Sequence, residues 1–358
     1  MPSLKEIKGR INSISSTLAI TSAMKMVAAA KLQKAQMAIQ NMLPYERRLH
    51  SMLIDLMGAM NISAAASEDG SVRGSGSAER GFDQSGDRLS LSNRHDLAGM
   101  DGAYSLMAQR EVRKVAIVAF ASNSSLCGAF NSNAIREATA VINEYRASGL
   151  RDSDIVVYSV GRKMAEAMRK LGFPSPADFT KMSDSPSYEA ASALAQELLD
   201  GFVSGRFDKV ELVYNHYKST SSQPTTRQTY LPLSLADATA DIQVGKIADS
   251  ASESDTNRGA EPVGAPVVRQ GSPTTEDLIV EPSKEALIAT LLPKVIRLRI
   301  FTTLLDSAAA EHAARTVAMQ LATDNGNDLL QELTLEYNKG RQQKITSEIL
   351  DLVGGSMQ

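Results

Sequence analysis

Tryptophan is absent from this 358-residue chain, and aromatic residues of all kinds make up only 5% of it. A single large enzyme domain of this length would bury more ring area than that. Cysteine occurs once, at Cys127, which excludes an internal disulfide and any redox switch built on a pair. The lone thiol reads as a small buried hydrophobe in a reducing compartment. No apolar run of about 18 residues occurs, so nothing spans a membrane as a helix. The start lacks the apolar core and small-residue cleavage site of a secretory signal. It is basic and contains serine, as transit peptides do, but its apolar periodicity begins at Leu4 and runs past Leu32. A formal net charge of −3 excludes a generally basic nucleic-acid binder.

Catalytic motifs are equally scarce. There is no Gly-x-x-x-x-Gly-Lys-Ser/Thr phosphate loop, and the Gly245-Lys246 pair lies in a polar stretch. His50, His95, His216 and His312 share no metal-ligand spacing, so no metal and no cofactor are expected. Ser159 to Lys163 follows a predicted strand and opens a helix, where backbone N–H groups hold phosphates in some proteins; with one glycine, an ordinary turn is expected. Ser122 to Gly128 ends another strand, but no base near Cys127 in sequence makes it a nucleophile.

What is abundant is helix-forming sequence at both ends. Leu4, Ile7, Ile11, Ile14 and Leu18 are spaced three and four apart, a coiled-coil seam. Ile20, Met24 and Val27 are expected to continue it after a phase shift. The helix is predicted to continue to about Met42, where Pro44 either kinks it or begins its next turn. If residues 3–58 are helical, the rod is roughly 80 Å long at about 1.5 Å per residue, and it must pair with another helix or chain. After Pro282 a second long helix begins at Leu287, Leu291 and Val295, with a kink expected at Pro293. Its segment from Ala308 to Ala322 is nearly all small on the apolar side, which permits close approach or leaves room for a third partner. Leu330, Leu333 and Tyr337 resume the seam, as do Ile345, Ile349 and Leu352.

Between the ends lies an alternation of strands and helices. Val115 to Phe120, Ile155 to Val160, Val210 to Tyr214 and Gln228 to Leu231 read as strands, and 133–148, 162–171 and 187–204 as helices, which implies βαβ units and a largely parallel sheet. Residues 61–110 and 236–280 are rich in Gly, Ser and acidic residues and read as insertions or linkers. The expected organisation is therefore a helix over 1–60, an α/β domain over 111–235 and a helix over 281–358, separated by those two polar segments.

Several motifs carry a family resemblance. Lys5-Glu6-Ile7, Ile20 to Ala29, Arg315 to Met319, Ala322 to Gly326, Tyr337 to Gln342 and Ile345 to Gly355 closely resemble the gamma subunit of F-type rotary ATP synthases, as do Leu126-Cys127-Gly128 and Asn131. The resemblance implies an α/β plus long-helix fold: an antiparallel coiled coil of the N- and C-terminal helices with an inserted Rossmann-like α/β domain. It implies a non-catalytic rotor shaft inside a ring of alpha and beta subunits, with its foot beside the epsilon subunit on the membrane rotor ring. Arg315, Arg341, Gln342 and Thr346 match positions that contact beta-subunit loops, with Met24 and Lys25 on the facing segment of the first helix. Lys31, Lys34, Arg47 and Arg48 are assigned to the foot, against the rotor ring rather than nucleic acid or lipid. With no transit extension ahead of Lys5, the expected location is the cytoplasmic side of a bacterial inner membrane, held peripherally. Departures from the family pattern are Asn123-Ser124-Ser125 in place of Asp-Arg-Gly, Gly340 in place of a helix former, Gly355 in place of Ala, and the length of the polar segments. Two other classes fit the residues less well: an α/β small-molecule enzyme with oligomerisation helices, and a tethering coiled coil.

Overall fold

The structure, a computed structural model, describes residues 3–59, 106, 110–233, 281 and 284–356. The polar segments expected at 61–110 and 236–280 lie outside the described residues apart from Leu106 and Arg110. Two helices dominate: α1 (Leu4–Ala59) has 56 residues and α6 (Lys284–Ser356) has 73, or about 84 and 110 Å of helix. Pro44 and Pro293 lie inside them, and neither ends its helix.

The two helices run antiparallel in one register. Leu4 lies against Gly340 and Leu18 against Gly326, Thr323 donates to Thr21 at 3.3 Å, Leu32 packs with Ala309 and Ala313, and the Thr302 hydroxyl donates to Glu46 at 3.1 Å. From Leu4 to Thr21 each step forward along α1 is matched by an equal step back along α6. From residue 3 to 20 the only covered positions are Leu4, Ile7, Ile11, Ile14 and Leu18, as the spacing predicts. The expected phase shift does not occur. The three-four spacing continues through Thr21, Lys25, Ala28, Leu32, Ala35, Ile39, Met42, Glu46, Leu49, Leu53 and Leu56, all buried or half-buried, whereas Ile20 and Val27 are 62% and 56% exposed. Small and polar residues occupy the seam where larger apolar ones point outward, which is why hydropathy alone suggests a slip.

On α6 the covered positions between 321 and 340 are Thr323, Gly326, Leu330, Leu333, Tyr337 and Gly340. Gly340 is therefore not an exposed helix interior position, as its place in the sequence suggests. A Cβ there would lie 3.1 Å from Leu4 Cδ2, and one at Gly326 would lie 3.3 Å from Leu18 Cδ1. The helix-propensity cost of about 1 kcal/mol per glycine is offset by room for a leucine knob. Gly340 is level with Leu4, the first residue of α1, and beyond it the seam stops. Ile345, Ile349 and Leu352, expected to continue it, are 48%, 54% and 74% exposed.

The inserted domain is a four-stranded sheet of order β2-β1-β3-β4, formed by β1 (Val115–Phe120), β2 (Ile155–Val160), β3 (Lys209–Asn215) and β4 (Thr225–Leu231). β1 is parallel to both β2 and β3, and β4 joins β3 antiparallel as an edge. The central strands β1 and β3 are buried on both faces, as parallel strands between helices must be. β1 alternates between two cores. Val115, Ile117 and Ala119 pack under α2 (Phe130–Ala147) and α3 (Arg162–Lys170). Ala116, Val118 and Phe120 face α5 (Tyr188–Val203), together with Leu53 and Leu56 of α1 and Leu292, Val295 and Ile296 of α6. α5 begins where the Ser187 hydroxyl accepts from the Ala190 amide at 3.2 Å. A short helix, α4 (Thr180–Asp184), precedes it and has no clear sequence signal. The domain thus sits on one end of the shaft, where both long helices join its core.

Candidate functional site

In a doubly wound sheet, ligands bind at the carboxyl ends of the strands where the chain reverses its direction of winding. Here that point lies between β1 and β3, since β2 is added on one side of β1 and β3 on the other. The crevice is filled by α6. Cys127 and Phe130, after β1, pack on Ala310 beside Tyr217, which follows β3. In the neighbouring turn at Ser159 to Lys163 the two amides that open the helix are engaged. The Arg162 amide donates to Asn123 Oδ1 at 2.7 Å, and the Lys163 amide donates to the Ser122 carbonyl at 3.1 Å. Gly161 serves that turn sterically: its φ is +99°, and a Cβ would fall 2.0 Å from the Ala121 carbonyl oxygen.

Polar bonds fasten the same crevice to the shaft. Asp306 of α6 accepts from the Tyr217 amide at 2.9 Å through Oδ1, and its Oδ2 lies 2.6 Å from His216 Nδ1. That carboxylate holds the His216 pKa above its ordinary value, against burial. Tyr217 also accepts a hydrogen bond from Gln36 of α1 at 2.6 Å. Two turns further along, Arg315 donates to Glu311 Oε1 at 2.7 Å and to Ser124 Oγ at 2.8 Å. Burial pushes the Glu311 carboxyl up, an effect that the Arg315 charge opposes. His312, with its buried Nδ1 unpartnered, is pushed down to about 4, first by burial and then by the Arg315 and Lys31 charges. The loop itself is cross-braced: Ser122 and Asn131 donate to the Ser124 carbonyl at 2.6 and 3.2 Å, and Asn131 Nδ2 lies 3.1 Å from Cys127 Sγ. Cys127 is 1% exposed and fills space.

The residues expected to meet partners are not brought together in one place. Arg341, Gln342 and Thr346 lie on the bare end of α6, where every residue from 341 to 350 is exposed. Met24 is half-buried, and Lys25 occupies a seam position, half-buried, rather than an outer face. Arg315 does not face outward: its side chain is 11% exposed and is held by Glu311 and Ser124. The four basic residues assigned to the foot do not form one patch. Lys31 and Lys34 are exposed beside Leu32, level with Ala309 and Ala313, whereas Arg47 and Arg48 adjoin Leu49, which joins the sheet core. About 24 Å of helix separates Lys31 from Arg47. Asp306, His216 and Tyr217 carry no motif in sequence and come together only in the fold, as Ser124 and Arg315 do across 191 positions.

Other charged clusters are closed. Glu211, 1% exposed, is met by Tyr145 OH at 2.6 Å, Lys209 Nζ at 2.7 Å and Arg227 Nε at 2.7 Å. Burial pushes its pKa up, but those partners outweigh it and hold the carboxyl below its ordinary value. Arg227 also pairs with Glu144. A depression of about 300 Å³ at the β2 edge is lined by Tyr158, Glu197, Arg206 and Phe207 among others. In it Tyr158 donates to Glu197 at 3.0 Å, and Arg206 stacks on Phe207. Among the described residues, no group of three or more His, Cys, Asp or Glu side chains is placed to hold a metal, and no helix is long and apolar enough to cross a membrane.

Comparison with known proteins agrees with this arrangement. The family model described as ATP synthase matches residues 3–357. The chain is 46% identical to the ATP synthase gamma chain of Phocaeicola vulgatus over 357 residues, covering 100% of both chains, and 44% identical to that of Bacteroides thetaiotaomicron over 358 residues, again covering 100% of both. The match therefore runs through both polar segments. Among solved structures, a chain of the Euglena gracilis mitochondrial ATP synthase, OSCP/F1/c-ring assembly, superposes with a TM-score of 0.52 at 18% identity, covering 99% of this chain and 93% of that one, a likeness of fold. With a family match along almost its whole length and full-length relatives above 40% identity, the chain belongs to the ATP synthase gamma chain family.

Proposed function

We propose that the chain is the central, non-catalytic rotor stalk of an F-type ATP synthase, with alpha and beta subunits around its shaft and the epsilon subunit and membrane rotor ring at its foot. The observation that carries this is the bare end of α6. α6 runs sixteen residues past Gly340, about 24 Å of helix, and among the described residues every position from 341 to 350 is exposed, Ile345, Ile349 and Leu350 included, as is Leu352. Such a helix needs a sleeve supplied by other subunits. Around its circumference, Arg341, Gln342 and Thr346 supply donors to beta-subunit loops, the Arg fork suiting a carboxylate. Met24 lies at the edge of the α1 face, and Lys25 acts from within the seam. Arg315 contributes by holding the shaft rather than by first contact.

An asymmetric shaft favours different conformations of the surrounding catalytic subunits at each angle, and turning it moves that preference from one to the next. At the other end Arg47 and Arg48 are at the level of the sheet and are the basic residues placed for polar loops of the ring. Lys31 and Lys34 lie too far along the shaft to share that contact. Assembly puts the chain peripherally on the cytoplasmic face of a bacterial inner membrane. The same proposal divides the chain into two shaft helices over 1–60 and 281–358, two polar segments at 61–110 and 236–280, and one α/β domain over 111–235. The test is purification of the complex with this chain deleted. Loss of coupled ATP synthesis is expected; a stable complex that still synthesises ATP from an ion gradient would refute the proposal.

A further inference from the structure

We infer that the crevice between β1 and β3 works as a collar that locks the α/β domain to the shaft, so that torque enters α6 at a second point beyond the apolar base. This rests on the rotor assignment above.

At the base the two bodies share a core, with Leu53, Leu56, Leu292, Val295 and Ile296 against the sheet. Apolar packing resists separation but is non-directional. The collar adds directional bonds further up. Asp306 takes the His216 ring and the Tyr217 amide at 2.6 and 2.9 Å, while Arg315, anchored by Glu311, takes the Ser124 hydroxyl at 2.8 Å. Asp306 and Arg315 are nine residues apart, about 14 Å along the axis. They are held from the two loops that flank the switch point, one after β3 and one after β1. Between them Ala310 packs on Cys127 and Phe130, and beyond them Gly128 lies next to Ala318. A body gripped at its base and again at two heights by directional bonds does not swivel about its apolar contact. The place where related sheets hold a ligand here holds a helix. The Ser124 hydroxyl is essential to the upper grip. An arginine at that position, as in the pattern this chain departs from, would set two guanidinium groups against each other.

The test uses the assembled complex in inverted membrane vesicles and compares three forms of the chain. The double variant Ser124→Ala with Asp306→Ala opens both grips, and Ser124→Thr keeps a hydroxyl. Amide hydrogen exchange over 122–131 should quicken on the order of ten-fold in the double variant, from loss of net hydrogen bonds worth about 1 kcal/mol each. ATP-driven proton pumping against an opposing gradient should fall while ATP hydrolysis persists. Ser124→Thr should restore both readouts towards those of the unaltered chain. Unchanged exchange would show that there is no collar. Quicker exchange with full pumping under load would show a collar that carries no torque. If the double variant does not assemble, Ser124→Ala alone is judged by the same two readouts. Failure of the rotor assignment itself is separable, since the unaltered complex would then show no coupling dependent on this chain.

Discussion

The two ends of α6 share one helix and one periodicity but meet opposite surroundings. From Ile288 to Met319 the helix is enclosed by α1, the sheet and the collar, and Leu292, Ile300, Ala309 and Ala313 are completely buried. From Leu321 to Gly340 only a single seam is covered, and from Arg341 to Leu350 no residue is. The enclosed end is stabilised by the chain's own core. The bare end exposes aliphatic residues that make sense only inside something else. Spacing alone does not distinguish these situations, because a three-four repeat looks the same whether or not a partner is present.

The sharpest way to break the comparison is to truncate one leucine at each end. Leu292→Ala should lower the unfolding free energy by about 2–5 kcal/mol, by cavity formation in a close-packed core. Leu352→Ala, at a residue 74% exposed, should change it by less than about 0.5 kcal/mol. Urea denaturation of the isolated chain measures both, and equal costs would erase the distinction. At the intermediate, single-seam level, Gly326→Leu should collide with Leu18 and destabilise by about 1–3 kcal/mol. The same measurement on Gly340→Ala should show a change below about 1 kcal/mol, since the helix-propensity gain opposes the contact with Leu4 at the chain's start.

A smaller effect is expected from pH. His312 is held neutral in the fold down to about 4, whereas the unfolded chain takes up the proton near the ordinary histidine value. The unfolded state therefore binds more protons between those limits, and stability contributed by His312 is intact above about 6.5 and lost as pH falls towards 4. His216 acts oppositely: its pairing with Asp306 raises its pKa, so its contribution is complete below about 6.5 and lost as pH rises through the raised value. Thermal melts of His312→Gln should be less acid-sensitive than those of the unaltered chain, and melts of His216→Gln less alkali-sensitive.

Much of the architecture is readable from residues. The parallel strands announce themselves as Val- and Ile-rich runs, Ser187 marks the start of α5, and Leu4 to Leu18 trace the seam. What misleads is composition within the repeat. Thr21, Lys25 and Ala28 hold the seam while Ile20 and Val27 point outward, so apolar character drifts off the true axis. The antiparallel edge β4 is half-exposed, and its strand signal begins late, at Gln228 in sequence against Thr225 in the fold. The collar was illegible, because Ser124 and Arg315 are separated by 191 positions and Asp306 and Tyr217 by 89, and none belongs to a local pattern that pairs them. Arg315 shows the consequence: its motif suggests an outward contact, and its acceptors turn it inward.

The most direct test of the central claim is to attach a bead or fluorophore to the exposed residue Ser153 of the α/β domain, immobilise the alpha and beta subunits, and supply ATP. Stepwise rotation of the probe in one direction, stopping when ATP is withdrawn, is the expected result. ATP hydrolysis with the probe stationary would contradict the account.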